Sequence, residues 1–173
     1  LVGGTSIERE VSKKSCENLL ANLDENKYDI TVYHLPADGN TEWAKNIISN
    51  PPQIVLSALH GGNGENGSIQ GFLHCLNIPY IGSKVLSSAI CMNKAMAKTV
   101  MKANHIQIPD HVFVMRGVDF SQYEESIKLM GFPLIVKPNR GDSSIGVIVA
   151  RNMEDIHYGI KNIMENYDDD VLI

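Results

Sequence analysis

Between residues 53 and 71 the sequence QIVLSALHGGNGENGSIQG passes from an apolar run, through a histidine, into a glycine-rich loop that carries a carboxylate. The run at 53–59 is short, partly β-branched and preceded by Pro51 and Pro52, the pattern of a buried strand in a parallel sheet. Residues 68–76 read as a helix. Strand, loop and helix in that order place the loop at the carboxyl end of a parallel strand, where open α/β sheets bind their ligands. His60, Glu65 and the loop amides are then the groups that meet a substrate.

Gly62, Gly64 and Gly67 also satisfy the G-x-G-x-x-G fingerprint of dinucleotide sites. That fingerprint needs an acidic residue about 20 positions on to bind a ribose hydroxyl. No Asp or Glu occurs between Ser68 and Pro109, and Glu65 would lie against a pyrophosphate. We therefore read the loop as holding an amino or carboxylate substrate.

Before this loop, Val2-Gly3-Gly4-Thr5-Ser6 turns a strand into a helix with Ser6 as N-cap and Ile7, Val11, Leu19, Leu20 and Leu23 as its inner face. Glu8 and Glu10 fall in the first turn, where the helix dipole favours them; Glu8 could instead face a ligand's ammonium group. Residues 29–35 alternate as a strand, 42–48 form a short helix in which Trp43 packs, and 78–82 form another strand and turn. Strands alternating with helices give a doubly wound, parallel α/β sheet of about four strands, over residues 1–86.

The second domain, 87–173, begins with a helix over 89–103 in which Lys94, Lys98 and Lys102 share one face. With no acidic partner on the helix, that stripe is either a solvated face or a cationic surface for phosphate. A strand at 111–115 follows, then a capping box of Ser121 with Glu124. The buried strand at 132–138 ends on Lys137 and leads through the turn 139–144, with Arg140 as its second cation, into a strand at 145–150. A lysine ending an apolar strand needs an anion: Asp142 is the nearest in sequence, and we favour a phosphate held by Lys137 and the turn's amides. Asn152 caps a last helix with Ile156, Ile160 and Ile163 on its core face, before a solvated turn at Asp168-Asp169-Asp170.

A length of 173 residues, 43% of them hydrophobic, supports one or two small cores. The net charge of −5 and unclustered basic residues give no field to gather nucleic acid. Cys16, Cys75 and Cys91 suggest free thiols in a cytoplasmic protein. No apolar run approaches the roughly 18 residues of a membrane span. The other histidines, His34, His74, His105, His111 and His157, show no metal-binding spacing, and G-x-S-x-G and P-loop motifs are absent. Both ends read as cut within strands, so a longer polypeptide is expected.

Five segments, taken in order, carry a resemblance. They are Gly3-Gly4-Thr5-Ser6-Ile7-Glu8-Arg9-Glu10-Val11-Ser12; His60-Gly61-Gly62-Asn63-Gly64-Glu65-Asn66-Gly67; Ile78-Pro79-Tyr80-Ile81-Gly82-Ser83; Lys94 with Lys98; and Val136-Lys137-Pro138 with Ser143-Ser144-Ile145-Gly146. Together they resemble the D-alanine:D-alanine ligase family over essentially the whole chain. The resemblance implies an α/β amino-terminal domain followed by the small α+β lobe of an incomplete ATP-grasp domain. It implies ATP-driven joining of two D-alanines through an acyl phosphate, for peptidoglycan precursor synthesis. Glu8 would hold the first D-alanine's ammonium and bond to Ser143, His60 would lie near the reacting carboxylate, and Glu65 would brace the loop. Lys94 and Lys137 would hold the ATP phosphates beneath a flap bearing Ser143 and Ser144. Mg²⁺ ligands are expected outside this segment, and a homodimer through the amino-terminal domain is implied by the family alone.

Two positions depart from the family pattern: Asn93 stands where Asp is usual, and Gly141-Asp142 where Glu-Gly is usual. Another ATP-grasp carboxylate:amine ligase would share the lysines without needing Glu8 and His60 together. A fragment that binds nucleotide or substrate without catalysis is the third reading.

Overall fold

In a computed structural model that describes residues 1–141 and 143–173, the first residues make β1 (Val2–Gly3), parallel to β2 (His34–Leu35) with Val2 opposite His34. On the other side of β1, the Ala58 N–H donates to the Leu1 carbonyl at 2.9 Å. Beyond it Val55 bridges Tyr80 in parallel, through Val55 N–H to Pro79 C=O at 2.8 Å and Ile81 N–H to Val55 C=O at 3.0 Å. Four extended segments thus lie side by side, as the alternation of strands and helices anticipates. The 53–59 segment is not the continuous strand expected: a single bridge forms, and Pro79 opposite it has no N–H to extend the ladder.

α1 (Arg9–Asn22) begins later than a Ser6 cap requires. Ser6 forms a turn instead: its Oγ accepts the Glu8 N–H at 3.1 Å and its carbonyl the Arg9 N–H at 3.1 Å. The inner face also differs from expectation. Ile7 is 72% exposed and Val11 and Leu20 face solvent, whereas Ser12 is fully buried and accepts the Gly3 N–H at 2.8 Å. A serine can hold a core position here because its hydroxyl meets a backbone donor that burial would otherwise strand. α2 (Glu42–Ser49) and α3 (Ser68–Cys75) complete this layer around Leu35, Ile47, Val55, Leu59, Ile69, Leu73 and Ile78. Trp43 packs edge-on against Phe72, with ring centroids 5.3 Å apart.

The helix expected over 89–103 is two helices, α4 (Val85–Met92) and α5 (Lys94–Ala103). Asn93 leaves the helical backbone and caps α5, its side chain accepting the Met96 N–H at 3.0 Å. Two compact units result, Leu1–Ala89 and Ile90–Ile173.

In the second unit an antiparallel sheet runs in the order β3 (Phe113–Val114), β6 (Val171–Leu172), β4 (Leu134–Pro138), β5 (Ile148–Ala150). α6 (Glu124–Met130) and α7 (Met153–Asn166) cover one face, enclosing Val114, Ile127, Val136, Ala150, Ile156, Ile160, Ile163 and Val171. Asn152 caps α7 through the Asp155 N–H at 2.9 Å. The cap before α6 is Asp119 rather than Ser121: it accepts both the Ser121 N–H and Oγ–H, which hold its carboxyl below the usual range. A 3-10 turn, Phe120–Tyr123, then leads into the helix. Period-two alternation puts Ile135 and Lys137 on the sheet's opposite face. There Ile135 and its cross-strand partner Val149 are 45% and 47% exposed.

Candidate functional site

In the first unit, the segment that follows 55–58 ends on His60 and turns sharply at Gly61, whose φ of 64° lies in the left-handed region. A Cβ at Gly61 would fall 2.5 Å from Glu8 Oε2 and 2.6 Å from Ser6 Oγ. Only a glycine lets the start of α1 and the loop approach this closely. Glu65 closes the loop from the other side, with Oε2 accepting the Gly61 N–H at 2.9 Å and Oε1 3.9 Å from His60 Nδ1. His60 Nε2 lies 2.8 Å from Ser15 Oγ. Glu8, His60 and Glu65 therefore meet around one peptide, at the carboxyl end of the parallel segments.

Two residues that support this cluster escape a reading of the sequence alone. Ser15 stands seven positions after Glu8, on the same side of α1 as buried Ser12; that helical spacing was its only signal. Arg9 reaches back with Nη1 to the carbonyls of Gly4 at 3.0 Å and Leu35 at 2.8 Å, joining the ends of β1 and β2. The adjoining cleft, of about 130 Å³, is lined by Gly4, Ser6, Pro36, Trp43, His60 and Gly61 among others. That is well below the ~300–1,000 Å³ of clefts that enclose drug-sized ligands, and suits a small polar molecule rather than a dinucleotide.

In the second unit, the lysine stripe of α5 is not one exposed surface. Lys94 Nζ donates to the carbonyls of Gly141 and Asn139, and Lys98 Nζ to that of Pro109 at 3.1 Å. Burial, and then the charge of Lys137, push the Lys98 ammonium below its usual range, with Asp110 partly offsetting them. Burial, followed by Lys98, likewise lowers His111. Lys98 and Lys137 are thus neighbouring cations, with His111 kept neutral beside Lys98. Asp142, the sequence candidate for pairing with Lys137, lies outside the described residues.

Ser143 and Ser144 stand in the left-handed region, at φ of 52° and 60°. For non-glycine residues this costs about 1–2 kcal/mol each. Arg140, counted in the sequence as the hairpin's second cation, is held by Asp169 at 3.6 Å and Asp170 at 3.0 Å. The aspartate turn is consequently solvated only at Asp168, which stays exposed. Asp169 is buried against the end of β4, and Asp168 pairs with Arg116 because β3 and β6 are neighbours. Among the described residues, no group of three or more His, Cys, Asp or Glu could hold a metal ion, and no helix is long and apolar enough to cross a membrane.

Comparison with known proteins gives two family matches in chain order, "D-ala D-ala ligase N-terminus" over residues 39–83 and "D-ala D-ala ligase C-terminus" over residues 100–173. Aligned over all of this chain, a D-alanine–D-alanine ligase from Bacillus anthracis is 39% identical. The chain belongs to the D-alanine–D-alanine ligase family. It spans about half the length of the curated ligases it matches, 55% of the Bacillus anthracis protein. The crystal structure of a Bacillus anthracis ligase complexed with ATP superimposes with a TM-score of 0.84 at 36% identity, over 99% of this chain and 55% of that one. A VanG D-Ala:D-Ser ligase from Enterococcus faecalis gives 0.83 at 25% identity, over 99% of this chain and 60% of that one. The ligases have the ATP-grasp fold, and the family's usual Asp at position 93 would supply the same capping oxygen that Asn93 does.

Proposed function

We propose that this chain is the amino-terminal and central part of an ATP-dependent ligase that joins two D-alanines for peptidoglycan precursor synthesis in the cytoplasm. The observation that carries this reading is the meeting of Glu8, His60 and Glu65 around Gly61, in a unit with a cleft of amino-acid size. Residues 1–86 would bind the amino acid and 87–173 would form the small lobe of the ATP-grasp domain. A homodimer through the first domain is proposed from the family resemblance.

In the first step, a carboxylate oxygen of one D-alanine attacks the γ-phosphorus of ATP, the bond to the β,γ-bridging oxygen breaks and ADP departs. In the second, the amine of the other D-alanine attacks the acyl carbon, phosphate leaves, and the nitrogen gives up a proton. The first step joins two anions, so neutralising charge at the transferring group matters most. Lys94 and Lys137 serve that purpose, with Ser143 and Ser144 closing over the phosphates. Apolar Ile135 and Val149 beside Lys137 support a nucleotide at this face, since they offer a base a dry surface next to a cation. In the amino-terminal domain Glu8 fixes the ammonium of the first D-alanine, and His60 faces its carboxylate. Mg²⁺, when bound with ATP, would add positive charge at the phosphates.

The test is D-alanine-dependent phosphate release from ATP in the longest polypeptide that carries this chain. Glu8→Gln should raise KM for the first D-alanine with KM for ATP unchanged, and Lys137→Ala should do the reverse. No phosphate release, or no separation between the two variants, would overturn the reading.

A further inference from the structure

Asn139 has no part in the functional reading so far, yet it is a polar side chain with 0% exposure beside the proposed phosphate lysines. Every polar group it owns is engaged. Its N–H donates to the Asp170 carbonyl at 2.9 Å, prolonging the pairing of β4 with β6 by one residue. Its carbonyl accepts the Lys94 N–H at 3.1 Å and Lys94 Nζ at 3.4 Å. Oδ1 accepts the Ala95 N–H at 2.9 Å, and Nδ2 donates to Asn93 Oδ1 at 3.1 Å, the same oxygen that caps Met96.

Two consequences follow. The first-turn donors of α5, on Lys94, Ala95 and Met96, are all satisfied within the protein, so this helix start has no free amide to offer a phosphate. A polyphosphate beside α5 would meet its lysine ammonium group rather than its amides, and so depends on where the lysine backbones stand. Asn139 follows the last residue of β4 and stands two after Lys137; because its N–H prolongs the β4–β6 pairing, the two side chains fall on the same side. Asn139 grips the start of α5 directly, so its side chain and carbonyl tie the backbone of Lys94 to that of Lys137.

We propose that Asn139 is a positioning residue that sets the spacing of Lys94 and Lys137 and thereby the affinity for ATP; this rests on the ATP reading above. A carboxamide is suited to the position because it must accept from Ala95 and donate to Asn93 at once. Position 93 needs only an acceptor, so Asp there would serve as well as Asn.

The experiment measures KM for ATP and for D-alanine, kcat, and the urea midpoint, in the longest polypeptide carrying the chain. Asn139→Ser is the main variant, with Asn139→Ala, Asn93→Asp and Lys137→Ala beside it. Asn139→Ser should raise KM for ATP by about tenfold or more, the factor expected for losing well-placed charge-assisted contacts. KM for D-alanine should stay within about twofold. Asn93→Asp should keep wild-type KM for ATP, because its carboxylate accepts from both Met96 and Asn139. The inference falls if the folded Asn139 variants keep KM for ATP within about twofold, or if their losses in both substrates follow the unfolded fraction alone. If Asn139→Ala does not fold, the serine variant decides. Lys137→Ala separates the two levels: unchanged ATP binding there defeats the ATP reading itself. Loss of ATP binding there with none in Asn139→Ser defeats only the role given to Asn139.

Discussion

Ser15 Oγ lies 2.8 Å from Nε2 of His60, joining the inner side of α1 to the loop that follows the third parallel segment. Glu65 faces the other ring nitrogen at 3.9 Å. A carboxylate on that side favours the proton on Nδ1, which leaves Nε2 to accept from the serine hydroxyl. One edge of the imidazole is thereby hydrogen-bonded and the other faces a carboxylate. Ser15→Ala should raise KM for the first D-alanine by about fivefold, the worth of one neutral hydrogen bond, with KM for ATP unaltered. Imidazole nitrogen shifts of His60 should move in the same variant. A wild-type D-alanine KM with unmoved His60 signals would show that the contact is incidental.

Arg9 carries a prediction about stability rather than binding. Its guanidinium meets the carbonyls of Gly4 and Leu35 at the ends of neighbouring strands, where the Leu35 carbonyl also accepts the Gly4 N–H at 2.8 Å. Arg9→Ala should cost about 2–3 kcal/mol in urea unfolding, because two charge-assisted bonds are lost together. Arg9→Lys should recover only part of that, since an ammonium lacks the planar fork. Full recovery by lysine would mean that charge alone matters there.

His111, half-buried beside Lys98, implies a pH dependence. It is held below the ordinary histidine value of 6.5 by burial and then by Lys98 and Lys102, against the Pro109 carbonyl and Asp110, which raise it. Between the lowered native value and 6.5, the unfolded chain binds the proton more readily than the folded one. The contribution of neutral His111 is thus present above pH 6.5 and lost as pH falls below it. Thermal midpoints should drop between pH 7 and pH 5.5 in the wild type, less so with added ATP, and less in His111→Gln. Equal slopes in wild type and variant would count against this assignment.

These predictions draw on contacts of different legibility. Periodicity and capping chemistry identified α3, α7 with its Asn152 cap, and the glycine loop after His60, because those signals are local in sequence. Local rules failed where a distant partner decided the outcome. Val11 and Leu20 look like core residues until Ser12 finds the Gly3 amide, and Arg140 looks like a free cation until β6 brings Asp169 and Asp170 to it. Asn93 broke a helix that composition alone would continue, because its cap is reinforced by Asn139, 46 positions away. The candidate site divides the same way. The loop, the lysines and Glu8 stand in recognisable motifs, but Ser15, Arg9 and Asn139 act through contacts that only the folded chain creates.

Gly159, in the middle of α7, sets helix propensity against packing. A helical Gly→Ala change ordinarily stabilises by about 1 kcal/mol. Here an added Cβ would stand 2.5 Å from Ile148 Cδ1 and 3.0 Å from Val136 Cγ1, on the face where α7 lies against β4 and β5. Val136 is fully buried and has no room to retreat, and overpacking of this kind costs about 1–3 kcal/mol. Packing should win, so Gly159→Ala should lower stability by about 1 kcal/mol despite the better helix former. Ile148→Val alone should also destabilise by about 1 kcal/mol, through the cavity left by its missing methyl. Since that methyl is the atom an alanine at 159 would strike, the double variant should be more stable than either single one. Strict additivity of the two losses in urea unfolding would show that the helix and sheet do not meet through this pair.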